Sequence, residues 1–155
     1  MNSLLSFKNV HKTYAKQLGA VSKIALADIS FSLLQGETLG LIGANGAGKS
    51  TCIKLLMDFI RPDSGDITVF STSPKKHHIR TRIGYLPETA NFPSNLTVLD
   101  MLHFTGNACN MGQQDIVHAS EKWLQRLGLW EDRKRPLRDY SKGMQQRANF
   151  AIALL

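Results

Sequence analysis

Apolar and polar positions alternate loosely at the start of the chain, with Leu5, Phe7 and Val10 on one side, and this predicts an edge strand over residues 4–10. Alternation returns at Leu26, Ile29, Phe31 and Leu33, and Gln35-Gly36-Glu37 supplies a turn. The largely apolar run Thr38-Leu39-Gly40-Leu41-Ile42 predicts a strand that feeds a glycine-rich loop. Beyond the loop, Ile53, Leu56, Met57 and Ile60 fall at helical spacing, so a helix is expected to about Phe59 with those four residues buried. Arg61-Pro62-Asp63-Ser64-Gly65 stops it. A strand over 66–70, a short helix over 74–80 and a strand over Arg82–Leu86 follow, with Pro87 ending the last and leaving Glu88 on a loop.

The second half reads as helical. Residues 15–23 and 89–95 have loop or turn composition. Thr97 is placed to cap a helix that begins in Leu96-Thr97-Val98-Leu99-Asp100-Met101-Leu102. The same five residues, 96–100, also resemble an apolar strand ending in a magnesium-binding aspartate. Met101 after them and Pro93-Ser94-Asn95 before them favour the helix start. Ile116, Val117, Ser120, Trp123, Leu124 and Leu127 keep helical spacing, with Gly128 as the terminating glycine. Ser141 is positioned to cap a last helix over 144–155. A serine and glycine at a helix start fit either a second phosphate contact or an ordinary cap, and on their own they are more often the cap.

The chain has 155 residues, 43% of them hydrophobic, which suits one folded domain with a true core. Its two cysteines, Cys52 and Cys109, have neither metal-site spacing nor the density of a disulfide framework, and a reducing cytoplasm is the simple reading. No apolar run is long enough to span a bilayer, and the N-terminus lacks the pattern of a secretory signal. The formal net charge is +7. Its densest basic stretch, residues 75–82, has no interleaved aromatics to stack bases, so it reads as a solvated face and no nucleic-acid partner is expected.

The candidate chemistry lies in residues 43–51, Gly-Ala-Asn-Gly-Ala-Gly-Lys-Ser-Thr. This is the pattern G-x-x-x-x-G-K-[ST] between a predicted strand and a predicted helix, the context that marks a phosphate-binding loop. Glycine lets the backbone approach a ligand closely, and the N–H groups from Asn45 to Thr51, Gly46, Ala47 and Gly48 among them, then converge on phosphate at a helix N-terminus. Lys49 would reach the β- and γ-phosphates, and the Ser50 hydroxyl would hold Mg²⁺. The residues therefore point to a nucleoside triphosphate. Tyr14, just after the first strand, fits either stacking on a nucleotide base or ordinary packing, and a lone tyrosine is more often the latter. No Asn-Lys-x-Asp guanine-reading motif occurs.

With these motifs in order, the chain resembles the nucleotide-binding domain of ATP-binding-cassette (ABC) transporters over essentially its whole length. Residues 35–51 look like that family's Walker A region and 61–70 like its following turn and strand. Residues 83–88 are similar to its Q-loop and 140–147, Tyr-Ser-Lys-Gly-Met-Gln-Gln-Arg, to its signature motif. The forms of the last two are similar to bacterial exporter or multidrug-type ATPases. The resemblance implies an α/β P-loop NTPase fold with an N-terminal antiparallel β subdomain, a RecA-like core and a helical subdomain. On this chain those would be about 1–88 for the β part and P-loop core, 89–140 for the helical subdomain and 141–155 for the signature helix.

The resemblance also implies roles. Tyr14 would stack on adenine. Gly43 and the rest of the loop through Thr51 would hold the phosphates, and Ser50 with Glu88 would ligate Mg²⁺. Glu88 stands where most relatives carry glutamine, and its carboxylate remains a hard oxygen ligand. Ser141, Lys142, Gly143 and Met144 would contact the ATP of a second ATPase domain in a head-to-tail dimer. Lys142 and Met144 depart from the family's usual Leu-Ser-Gly-Gly-Gln. The implied partners are that second domain and an integral membrane transporter subunit, with the chain peripheral on the inner, cytoplasmic face of the membrane. No apolar run followed by Asp-Glu occurs, and none of the five histidines lies at the family's switch position. The expected core is thus incomplete at the C-terminus, and the chain is expected to be a partial domain, inactive alone. The other functions weighed are a soluble ABC ATPase acting on nucleic acid or ribosomes, and a non-enzymatic remnant.

Overall fold

The computed structural model describes residues 3–15, 22–89, 92–93 and 95–155, apart from the side chains of His77 and Arg80. Parts of the loop read at 15–23, of the turn-rich run at 89–95 and of the basic stretch lie outside the described residues. The chain divides between Arg82 and Ile83 into two compact units.

The first unit is a three-stranded antiparallel sheet with a helix. Strands β1 (Leu5–Tyr14), β2 (Lys23–Leu33) and β3 (Ser64–Val69) lie in the order β2-β1-β3. The strand expected at the edge is therefore the central one, because the run at 66–70 pairs back onto it. Its alternation is loose for a physical reason. Asn9 and Asp28 both have positive φ (47° and 54°), and the register shifts between Phe7 and Val10. Asn9 Nδ2 donates to Asp28 Oδ1 at 2.7 Å and its backbone N–H to Ser30 Oγ at 2.8 Å. This bulge resets the phase so that Phe7 and Val10 both enter the core. Phe7 stacks on its cross-strand partner Phe31, with centroids 4.6 Å apart.

Helix α1 (Lys49–Leu56) ends three residues before Phe59, with Met57 as its C-cap and Asp58 in the left-handed region (φ 56°). Thr51, Cys52 and Leu55 form its buried face, and Cys52 and Leu55 join Phe7, Val10, Leu26 and Ile67 in the core. Of the face expected from spacing only Met57 is fully buried; Ile53, Leu56 and Ile60 are half-buried. Burial of the Cys52 thiol pushes its pKa up. The basic stretch has a packed member, since the Arg82 guanidinium lies 4.0 Å from the centroid of Phe70. The short helix read at 74–80 is α2, His77–Arg80.

Two expected strands are not formed. Residues 38–42 and 82–86 lie in no ladder among the described residues. Ile42 is 97% exposed, and Leu39, Leu41, Tyr85 and Leu86 are also exposed. An apolar run specifies a wish for burial, whereas a strand also needs a neighbour for its N–H and C=O groups. Leu39 and Leu41 instead border an apolar cleft with Leu5, Phe31, Leu33 and Ile53.

The second unit is helical: α3 (Val98–Ala108), α4 (Gln113–Arg126), a 3-10 turn (Leu137–Asp139) and α5 (Lys142–Ala153). Val98, Leu102, Leu124, Leu129, Leu137, Tyr140, Ala148 and Ala151 make its core. Val117, one of the residues at helical spacing, is exposed; Ile116, Ser120 and Leu124 carry the buried face of α4. The Tyr140 hydroxyl donates to the Asp132 carbonyl at 2.9 Å, and burial first, then the Asp132 carboxylate, raises its pKa. Gly128 takes φ 63° directly after α4, as a terminating glycine should.

Thr97 caps α3 through a reciprocal pair. Asp100 N donates to Thr97 Oγ1 at 3.1 Å, while Thr97 N donates to Asp100 Oδ2 at 2.8 Å. Asp100 is thus part of a cap, in agreement with the helix reading of 96–100. The Thr97 backbone N–H, then its hydroxyl, hold the Asp100 carboxyl below its ordinary pKa. A depressed carboxyl stabilises the fold above the ordinary carboxylate range and loses that contribution as pH falls through its folded value. Thr97→Ala is expected to cost about 1 kcal/mol in urea unfolding at neutral pH. The difference from the unaltered chain should shrink as the pH is lowered towards protonation of Asp100.

Candidate nucleotide-binding site

Residues 43–51 form a loop that turns into α1. Ala47 N donates to Ala44 O at 3.1 Å, and Gly46 and Gly48 take left-handed φ values of 84° and 93°. Gly48 is also buried, and a Cβ added there would lie 2.5 Å from the Ala25 carbonyl oxygen and 2.6 Å from Leu26 Cδ2. Only glycine meets both demands. Gly48 is the N-cap of α1, no side chain caps the helix, and its first turn has no acidic residue. The first-turn N–H groups and the positive end of the helix dipole therefore face an anion-compatible mouth.

Lys49 folds back across this mouth, its Nζ donating to Gly43 O at 2.7 Å and Ala44 O at 2.9 Å. Ser50 is exposed on the first turn, and Thr51 is buried beneath it. The Thr51 hydroxyl lies 3.5 Å from that of Tyr14, so the aromatic at the end of β1 stands at the glycine loop. The two residues before Tyr14 are bound by Asp63, whose carboxylate accepts from Lys12 Nζ at 2.7 Å and from Thr13 N at 2.6 Å. The Lys12 bond, then the Thr13 N–H, lower the Asp63 pKa. Asp63, read from sequence only as part of a helix-stopping turn, is thus tied to the strand end that bears Tyr14.

In the second unit Ser141 Oγ accepts from Met144 N at 3.2 Å and caps α5, with Lys142 and Gly143 exposed in the first turn. Glu88 and Lys142, of opposite charge, line one polar cleft with Thr89, Gln145 and Gln146. Asn149, a buried polar residue between apolar positions of α5, donates from Nδ2 to Pro87 O at 3.3 Å and so restrains the backbone before Glu88. A Cβ on Gly84 would collide with the Ala153 carbonyl oxygen. Both residues escaped the sequence reading. A glycine inside an apparent strand is a signal of close backbone approach, whereas nothing local marked Asn149.

The left-handed glycine loop at the start of α1 and the mouth it forms fit a phosphate chain, because no side chain caps the helix and no carboxylate enters its first turn. Exposed hydroxyl and carboxylate oxygens at Ser50 and Glu88 are of the type Mg²⁺ takes. Sheet, loop and helical unit together define an ABC ATPase fold. The family model described as ABC transporter matches residues 26–155, and the chain belongs to that family.

An uncharacterized ABC transporter ATP-binding protein of Synechocystis sp. is 38% identical over 133 residues, covering 84% of this chain and 38% of its own length. The linearmycin resistance ATP-binding protein LnrL of Bacillus subtilis is 32% identical, covering 98% of this chain and 48% of its own. The bacitracin transport ATP-binding protein BcrA of Enterococcus faecalis is 31% identical over all of this chain and 48% of its own. The chain thus spans about half the length of these relatives, or less. Among solved structures, an ATP-binding subunit of an ABC transporter superposes with TM-score 0.84 at 26% identity, over 98% of this chain and 62% of that one. Among the described residues no helix is long and apolar enough to cross a membrane.

Gly48→Ala is expected to destabilise the first unit by about 1–3 kcal/mol through its φ and the Ala25 collision. Denaturant unfolding followed by hydrogen exchange at residues 48–52 checks this.

Proposed function

We propose that this chain is the ATP-binding part of an ABC transporter's ATPase subunit. The observation that carries the reading is the left-handed loop at the start of α1, with Lys49 across its mouth and Tyr14 beside it. Backbone N–H groups from Asn45 through Thr51, those of Gly46, Ala47, Gly48 and Ser50 included, donate to the phosphate oxygens, with Gly43 opening the loop. Lys49 exchanges its two carbonyl partners for the β- and γ-phosphates, a stronger, charge-assisted contact. Tyr14 stacks on adenine. Ser50 and Glu88 are the Mg²⁺ ligands, and bound Mg²⁺ supplies neutralisation of charge on the β- and γ-phosphates.

On this reading Ser141, Lys142, Gly143 and Met144 serve the ATP of a second ATPase domain in a head-to-tail dimer. The capped N-terminus of α5 offers its first-turn N–H groups there, and Lys142 adds positive charge. The second partner is a membrane transporter subunit, which would hold the chain at the inner face of the membrane. The names of LnrL and BcrA support an exporter of the antibiotic-resistance kind. What these 155 residues do is bind and orient the nucleotide.

Isothermal titration calorimetry with MgATP tests the reading. The full chain is expected to bind, and Lys49→Ala to weaken binding at least about tenfold by removing a charge-assisted contact. Absence of binding by the unaltered chain, or equal binding by Lys49→Ala, would overturn it. Phosphate release from ATP by these residues alone is expected to be negligible, and steady turnover abolished by Lys49→Ala would contradict the binding-only role.

A further inference from the structure

The loop has a second cation close to it that none of the motifs includes. Lys23 is the first residue of β2 and pairs across the sheet with Tyr14. A Cβ added to Gly46 would lie 3.3 Å from its Nζ, so the ammonium hangs directly over the glycine loop. The backbone that carries it is fixed at the same seam. Two residues on, the Ala25 carbonyl abuts Gly48, and Leu26 is buried against α1 in the core. None of the ion pairs found among the described residues engages Lys23.

Resting on the assignment of this loop to ATP, we propose that Lys23 is a second phosphate-binding cation of the site, which contacts the triphosphate from β2. A lysine suits this place because its ammonium is a compact charge on a flexible stem, able to follow a phosphate chain without a fixed fork geometry. The pairing with Tyr14 puts the base-stacking and charge-contacting groups on adjacent strand ends. Base and phosphates of one nucleotide would then both be met by the β1–β2 hairpin, while Lys49 acts from the helix side. Lys23 is a binding residue in this scheme and takes no part in bond cleavage.

Competitive displacement of a fluorescent ATP analogue by ATP, run on the full chain at several salt concentrations, tests the proposal. Lys23→Gln is expected to weaken ATP binding about three- to tenfold, as loss of one partly screened charge contact should. It should also make the affinity less dependent on salt. Lys23→Arg, which keeps the charge, should stay within about twofold of the unaltered chain. Unchanged affinity and salt dependence in Lys23→Gln, or an arginine variant as weak as the glutamine one, would overturn the proposal while leaving the ATP site standing. An unaltered chain that fails to bind ATP would instead remove the reading on which it rests.

Discussion

Everything in the first unit depends on one close contact, the approach of the Gly48 backbone to the Ala25 carbonyl and the Leu26 side chain. A residue with no Cβ and a left-handed φ lets the chain leave the loop and enter α1 while lying directly on β2. That approach lets Cys52 and Leu55 reach the sheet core and aims the start of α1 at the loop mouth. It also brings the β1–β2 strand ends to the loop, because β2 cannot shift without breaking the contact. Tyr14, Thr51 and Lys23 gather around residues 43–51 as a consequence.

The helical unit is organised by a different constraint, the satisfaction of helix ends. Thr97 and Asp100 close the start of α3, Gly128 ends the run after α4, and Ser141 closes the start of α5. The backbone N–H of Leu137 donates to the Leu96 carbonyl at 2.8 Å, which ties the 3-10 turn to the entrance of α3. Small residues at Ala148 and Ala151 let α5 sit deep in the core. The signature-like residues 141–144 are thus presented on a helix that is both capped and buried along one side. Asn149 uses that same helix to restrain Pro87, so the loop bearing Glu88 and the helix start bearing Lys142 share one cleft.

Cap and loop residues were readable because their signals are local. Ser141, Thr97 and Gly128 act within a few residues of their own positions, and the loop at 43–51 is a contiguous backbone conformation. The ABC likeness rested on motifs of this kind, and the family match over 26–155 agrees with it. The runs at 38–42 and 82–86 were apolar enough to be read as strands, yet they form none. A strand needs a partner's hydrogen bonds, and composition alone does not contain them.

By itself, then, the sequence determined the glycine loop, the capped helices, the helix-stopping turns and the family to which the chain belongs, since each is written in neighbouring residues or in ordered short motifs. Tertiary structure alone decided that β1 is central, that the Asn9 bulge resets its phase, and that α1 buries Thr51, Cys52 and Leu55. It also decided that Asp63 holds the strand end bearing Tyr14 and that Lys23 hangs over Gly46. These are contacts between residues far apart in the chain. They depend on which surfaces meet and at what register, and no local propensity encodes that.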